Sequence, residues 1–206
     1  MGDLVREKLL EGLAVMDLVA RDGNLHATLT RAAEATVAAL RAGSKLMVAG
    51  NGGSASDAQH VVAEFVCRLS DDRPALRAVA LTTNTSTLTA VSNDYGFERV
   101  FARQIEAIGQ HGDIFLGIST SGNSANVVRA LEQCRSMGIA TIGLTGKTGG
   151  KMSPLCDYCL RVPSEVTMYI QQAHLALEHL FCFLVERTYF ASDHALNTAA
   201  GTDLKG

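Results

Sequence analysis

Two groups of side chains in this sequence have the types and spacing for proton chemistry. His60 and Glu64 are four residues apart, which on a helix sets them on one face. Together they offer a group that titrates near neutral pH and a carboxylate base. Asp57, His60 and Glu64 form a polar stripe, with Val62, Phe65, Val66 and Leu69 on the apolar side. Alone, such a stripe is ordinary solvated helix surface. What singles it out is the glycine-rich run directly before it. The second group is Gln171, Gln172, His174, Glu178 and His179, set among Ile170, Leu175, Leu177, Leu180 and Phe181. A helix this apolar is largely buried, and its polar groups need partners. His174 and Glu178 can form an i,i+4 pair, but neither capping nor surface exposure accounts for His179.

Two loops have the composition of ligand cradles. Gly50-Asn51-Gly52-Gly53-Ser54-Ala55-Ser56-Asp57 follows one apolar run, and Ser119-Thr120-Ser121-Gly122-Asn123-Ser124 follows another. Small hydroxyls and glycines ahead of a helix N-terminus present free N–H groups and the positive end of the helix dipole to an anion. Turn and N-cap chemistry uses the same residue types, so one such loop is ambiguous. Two of them, each after an apolar strand, favour a phosphorylated ligand with a polyol portion. Nucleotide readings fail on spacing. Gly50-x-Gly52-x-x-Ala55 fits a relaxed dinucleotide fingerprint, but Asp71 and Asp72 precede the second strand instead of following it. In Gly143-Leu-Thr-Gly146-Lys147-Thr148 the first glycine of an ATP loop would fall at Thr141.

The elements that must carry these loops alternate. Apolar runs at Lys45–Gly50, Leu76–Leu81, Ile114–Ser119, Ile139–Thr145 and Tyr158–Val162 are separated by helical patterns near 54–69, 85–92, 97–109 and 123–137, with a last one near 166–190. Continuous apolar strands between helices imply a five-stranded parallel sheet covered on both faces. Ligands in such sheets sit beyond the carboxyl ends of the strands. Residues 1–42 carry helical periodicity with a break near Asp22-Gly23-Asn24, an N-terminal helical extension of one domain over 1–190. The polar segment 191–206 reads as a flexible tail.

With 206 residues, 47% of them apolar, and a net charge of −3, the chain needs no disulfide or metal for stability. It lacks the basic face of a sequence-independent nucleic-acid binder. No run approaches a membrane span. Five scattered cysteines suit a reducing compartment, so a cytoplasmic location is expected. Cys156-Asp157-Tyr158-Cys159 reads as a pair of packing residues on a strand.

These segments together resemble the sugar isomerase (SIS) domain family, and within it the phosphoheptose isomerases. The match runs from the N-terminal helices to about Tyr189. It rests on Gly50-Asn-Gly-Gly-Ser54, His60-x3-Glu64, Asn93-Asp94-x-Gly-Phe97, Gly117-Ile-Ser-Thr-Ser-Gly-Asn-Ser-Ala-Asn126, Leu144-Thr-Gly-Lys-x-Gly-Gly-Lys-Met152 and Ile170-Gln171-x2-His174-x4-His179. The resemblance implies conversion of sedoheptulose 7-phosphate to D-glycero-D-manno-heptose 7-phosphate, the first step toward nucleotide-activated heptose. It implies phosphate at Ser119, Thr120, Ser121 and Ser124, and sugar hydroxyls at Asn51, Gly52, Gly53 and Ser54, with Asn93, Asp94, Glu64 and Gln171 also at the substrate. One Zn²⁺ per subunit, held by His60, Glu64, Gln171 and His179, is implied, with Glu64 and His179 as the acid/base pair. The same resemblance implies a homotetramer with active sites shared between subunits.

Gln171 and His179 lie eight residues apart, about 12 Å along an ideal helix at ~1.5 Å per residue. The helix therefore starts after Gln171, or different subunits supply the two. The chain departs from the family where Gln171-Gln172 replaces Gln-Glu, Tyr169 replaces Arg and Asn84 replaces Asp. A non-catalytic alternative is the SIS tetramer that acts as a replication-initiator-binding scaffold. That role has no need for the metal and acid/base set.

Overall fold

The computed structural model describes residues 1–191; the tail expected over 191–206 lies, apart from Ala191, outside them. Five parallel strands, β1 (Leu46–Ala49), β2 (Ala78–Ala80), β3 (Ile114–Ile118), β4 (Ala140–Thr145) and β5 (Tyr158–Arg161), form one sheet in the order β2-β1-β3-β4-β5. Chain order reverses between β1 and β3, where Leu46 to Ala49 pair in register with Ile114 to Gly117. Loops leaving such neighbours diverge to opposite faces and open a crevice at the strands' carboxyl ends. Both ligand loops of the sequence arise there.

Two cores sandwich the sheet, because alternate residues of each strand face opposite sides. Leu46, Val48, Leu116 and Leu144 pack under α2 (Gly23–Arg41), α3 (Gly53–Val66) and α7 (Thr167–Tyr189). Met47, Ala49 and Phe115 face α4 (Thr85–Tyr95), α5 (Val100–Ile108) and α6 (Ala125–Ser136). α1 (Gly2–Arg21) precedes α2, and the break falls as expected: Asp22 accepts from the N–H groups of Asn24 and Leu25, both at 3.0 Å. Leu4, Leu9 and Leu13 on α1 remain 55%, 62% and 63% exposed. Among the described residues, no helix is long and apolar enough to cross a membrane.

α7 begins at Thr167, before Gln171. Of the two alternatives for the Gln171–His179 spacing, a helix that starts after Gln171 is therefore excluded, and the helix near 166–190 is found as expected. Both Gln171 and His179 sit on one continuous helix, because Tyr169, Ile170, Ala173 and Leu177 give it a buried face from its first turn. The cysteine pair also differs in part. Cys159 is in β5, while Cys156 lies just before the strand; all five cysteines are free thiols.

Candidate active site

Gly52 adopts φ 56° and ψ −122° at the start of α3, a conformation that favours glycine. Gly53 follows, and a Cβ there would collide with the Gln171 side chain. The two glycines let the first loop turn sharply into α3 and let α7 approach it.

From this start α3 directs Asp57, His60 and Glu64 toward α7. His60 Nε2 lies 3.6 Å from Glu64 Oε1 and 2.8 Å from His179 Nε2. The His60 and His179 rings meet edge to face, with centroids 5.0 Å apart. One ligand atom from each of His60, Glu64 and His179 falls within 4.8 Å of the others. Two imidazole nitrogens and a carboxylate oxygen, all half-buried, are a donor set that fits a divalent transition metal.

Gln171, on the first turns of α7, is held by the residue one turn before His60 on α3. Its Nε2 donates to Asp57 Oδ2 at 3.0 Å. Burial raises the Asp57 carboxyl above its ordinary range, against the opposing pull of Gln171 and His60. Of the four ligands the resemblance implies, His60, Glu64 and His179 converge, while Gln171, about two turns before His179 on α7, bonds Asp57 on α3.

The second loop is built around hydroxyls. Ser119 Oγ lies 2.8 Å from Ser124 Oγ and 3.4 Å from Ser121 Oγ. Ser124 is the N-cap residue of α6, so the three hydroxyls cluster at that helix's positive end. The loop is braced from behind. Gly146 N–H donates to Thr120 O at 2.9 Å and Met152 N–H to Gly122 O at 3.0 Å. Gly122, at φ 65°, faces the backbone of Gly149.

Asn93 and Asp94 are both exposed near the end of α4, hydrogen-bonded to each other at 2.7 Å. The pairing of His174 with Glu178 fails. His174 Nε2 contacts Thr145 O at 3.1 Å, while His174 Nδ1 and both Glu178 oxygens have no hydrogen-bond partner among the described residues. Burial drives the His174 imidazole down to about 4. Burial first, then Asp57, drives Glu178 up to about 8.

The sequence reading missed one clamp altogether. Buried Glu186 of α7 accepts from Arg73 Nε at 2.8 Å and from the N–H groups of Leu69, Ser70 and Asp71. Arg73 in turn donates to Glu64 O and Phe65 O, closing the end of α3. A glutamate following the apolar run Leu180–Val185 was the available signal.

The SIS domain family model matches residues 14–146, well over half of the chain. The phosphoheptose isomerase of Aneurinibacillus thermoaerophilus is 48% identical over 190 residues, 92% of this chain and 96% of the relative. The chain belongs to the SIS domain family, among the phosphoheptose isomerases. Phosphoheptose isomerase 2 of Campylobacter jejuni is 46% identical, covering 92% of this chain and 94% of its own. The structure of a phosphoheptose isomerase from Neisseria gonorrhoeae superposes with a TM-score of 0.84 at 39% identity, covering 90% of this chain and 98% of that one. The Francisella tularensis structure gives 0.86 at 35% identity, with 90% and 97% covered.

Proposed function

We propose that the chain converts sedoheptulose 7-phosphate to D-glycero-D-manno-heptose 7-phosphate through an enediolate. It is an aldose–ketose isomerase by family, and its relatives are named for a phosphorylated heptose. The observation that carries the reading is the meeting of His179 with His60 and Glu64 on the helix that leaves the first ligand loop.

Isomerisation removes a proton from C1 of the ketose and returns it to C2, while a second group shifts a proton between O1 and O2. Glu64 is the carbon base, a carboxylate at the edge of the cluster. His179 handles the oxygens, since an imidazole nitrogen can both donate and accept a proton. Ser119, Thr120, Ser121 and Ser124 hold the phosphate with neutral donors and the α6 dipole. Asn51, Gly52, Gly53 and Ser54 meet sugar hydroxyls. Gln171, whose N–H is given to Asp57, keeps its Oε1 for the ligand.

We assign one Zn²⁺ per subunit to His60, Glu64 and His179, with Gln171 completing the set in the assembled protein. Zinc bound there would offset the negative charge that develops on the enediolate oxygens. The exposed apolar faces of α1 and of α7, with Leu180 and Phe183 at 51% and 40%, favour a homotetramer. Sedimentation giving a stable monomer at micromolar concentration would overturn that assembly. A cytoplasmic location accords with free thiols. The scaffold reading gains nothing from these relatives, all named as isomerases.

The deciding experiment follows solvent-hydrogen exchange at C1 of sedoheptulose 7-phosphate with zinc-loaded protein. Exchange by the wild type and its loss in Glu64→Gln support the reading. No exchange by the wild type sinks it.

A further inference from the structure

The two ligand loops are joined by a pair of side-chain amides. Asn51 Nδ2 donates to Asn126 Oδ1 at 2.9 Å, and Asn126 Nδ2 donates back to Asn51 Oδ1 at 2.8 Å. The ring spans the crevice between β1 and β3. Asn126 is 2% exposed, in the first turn of α6, whereas Asn51 is half-buried at the end of β1.

We infer that Asn126 is a positioning residue, which fixes the orientation of the Asn51 amide and couples the sugar loop to the phosphate loop. The argument rests on the reading of Asn51 as a sugar contact. An asparagine amide can be turned end for end, exchanging its donor and its acceptor. For Asn126 the backbone decides the matter. Val127 N–H donates to Asn126 Oδ1 at 3.0 Å, and turning the amide would set N–H against N–H. With the Asn126 oxygen fixed, its NH₂ can face only the Asn51 oxygen, so Asn51 is fixed as well.

Asn51 is left with one N–H and one oxygen lone pair for a ligand. A sugar hydroxyl or carbonyl oxygen accepts from that N–H, and a hydroxyl donates to that oxygen. Because Asn126 belongs to the helix whose N-terminus carries the serine loop, phosphate held there fixes the donor that meets the sugar. Recognition of the two ends of the substrate is thereby linked through one buried side chain.

The test is a double-mutant cycle with Asn51→Ala and Asn126→Ala, assayed with sedoheptulose 7-phosphate. Inhibition by inorganic phosphate is the probe of the serine loop. Asn126→Ala is expected to lower kcat/KM about tenfold, the worth of a well-made hydrogen bond. Inhibition by phosphate should stay within about twofold of wild type. In the Asn51→Ala background, adding Asn126→Ala should cost no more than about twofold, because a residue acting through Asn51 has nothing left to act on. Full additivity, or wild-type turnover by Asn126→Ala, overturns the positioning role while leaving the site reading intact. Wild-type turnover by Asn51→Ala overturns the sugar-loop reading and the inference with it. Should Asn126→Ala fail to fold, Asn126→Ser replaces it, being too short to reach Asn51 yet suited to a helix N-terminus.

Discussion

His60 Nε2 lies 2.8 Å from His179 Nε2, although 119 residues separate them in the chain. Two imidazole nitrogens this close form a hydrogen bond only when one carries a proton. With Glu64 Oε1 3.6 Å from His60 Nε2, both lone pairs can instead serve one cation. Zinc titration against a chromophoric chelator is expected to find about one tight site per chain, the stoichiometry of a single mixed N/O site. His60→Ala and His179→Asn should each weaken it by at least roughly tenfold. Unchanged zinc affinity in both variants would remove the metal from this cluster.

Glu64→Gln keeps the volume of the side chain but cannot accept a proton from carbon. A fall in kcat of at least roughly 10²-fold is expected, the lower range for loss of an acid/base group. The melting temperature should stay near wild type, since Glu64 is half-buried and its ion-pair partner among the described residues, His60, stands 3.6 Å away. A rate close to wild type would exclude Glu64 as the base.

Ser121→Ala removes one hydroxyl from the Ser119–Ser121–Ser124 cluster. If the cluster binds phosphate equally in ground and transition states, KM should rise more than kcat falls. Calorimetry showing unchanged affinity for the phosphorylated sugar would relocate the phosphate.

Removing Glu186 should be the costliest change away from the site. Its side chain and that of Arg73 are 3% and 5% exposed, so Glu186→Ala strands a buried guanidinium and three backbone N–H groups. A loss of about 3–5 kcal/mol is expected for one partner of a buried pair, read from urea denaturation. A loss below about 1 kcal/mol would mean that water reaches Arg73. Because Arg73 also closes α3 at Glu64 O, zinc affinity should fall in the same variant.

His174 sets an acid limit. Burial lowers its folded-state pKa to about 4, against an unfolded value of about 6.5. The unfolded chain therefore takes up the proton first on acidification. The contribution of His174 to stability is complete above about 6.5 and is lost as pH falls toward about 4. His174→Gln should flatten the stability–pH profile across that window by up to about one proton. An unchanged slope would show that His174 is already protonated when folded.

Much of the architecture was legible before folding, for local reasons. Apolar runs such as Ile114–Ile118 exceed what a half-exposed strand carries, and the Asp22 cap marks its own helix boundary through contacts two and three residues away. The pairing of His60 with Glu64 follows from helical periodicity alone. Asn126 was present in the matching motif, but nothing in its spacing announces a contact with Asn51, 75 residues earlier. Glu178 and Glu186 were visible as charges on an apolar helix. Their fates are opposite: one is buried without a hydrogen-bond partner among the described residues, and the other is saturated. Which occurs depends on what crosses α7 at each turn.

By itself the sequence determined the alternation of strands and helices, the two ligand loops at strand ends, and the chemical types gathered on each helix face. Those properties depend on periods of two and 3.6 residues and on turn chemistry within a few positions. Only the tertiary structure decided which faces meet. His179 lands on His60 while Gln171, eight residues back on the same helix, lands on Asp57. The rise and phase of a helix are encoded locally, but where α7 crosses α3 is set by how both pack on the sheet. That angle and register come from the whole core at once, from Leu46 and Val48 beneath α3 to Leu144 beneath α7.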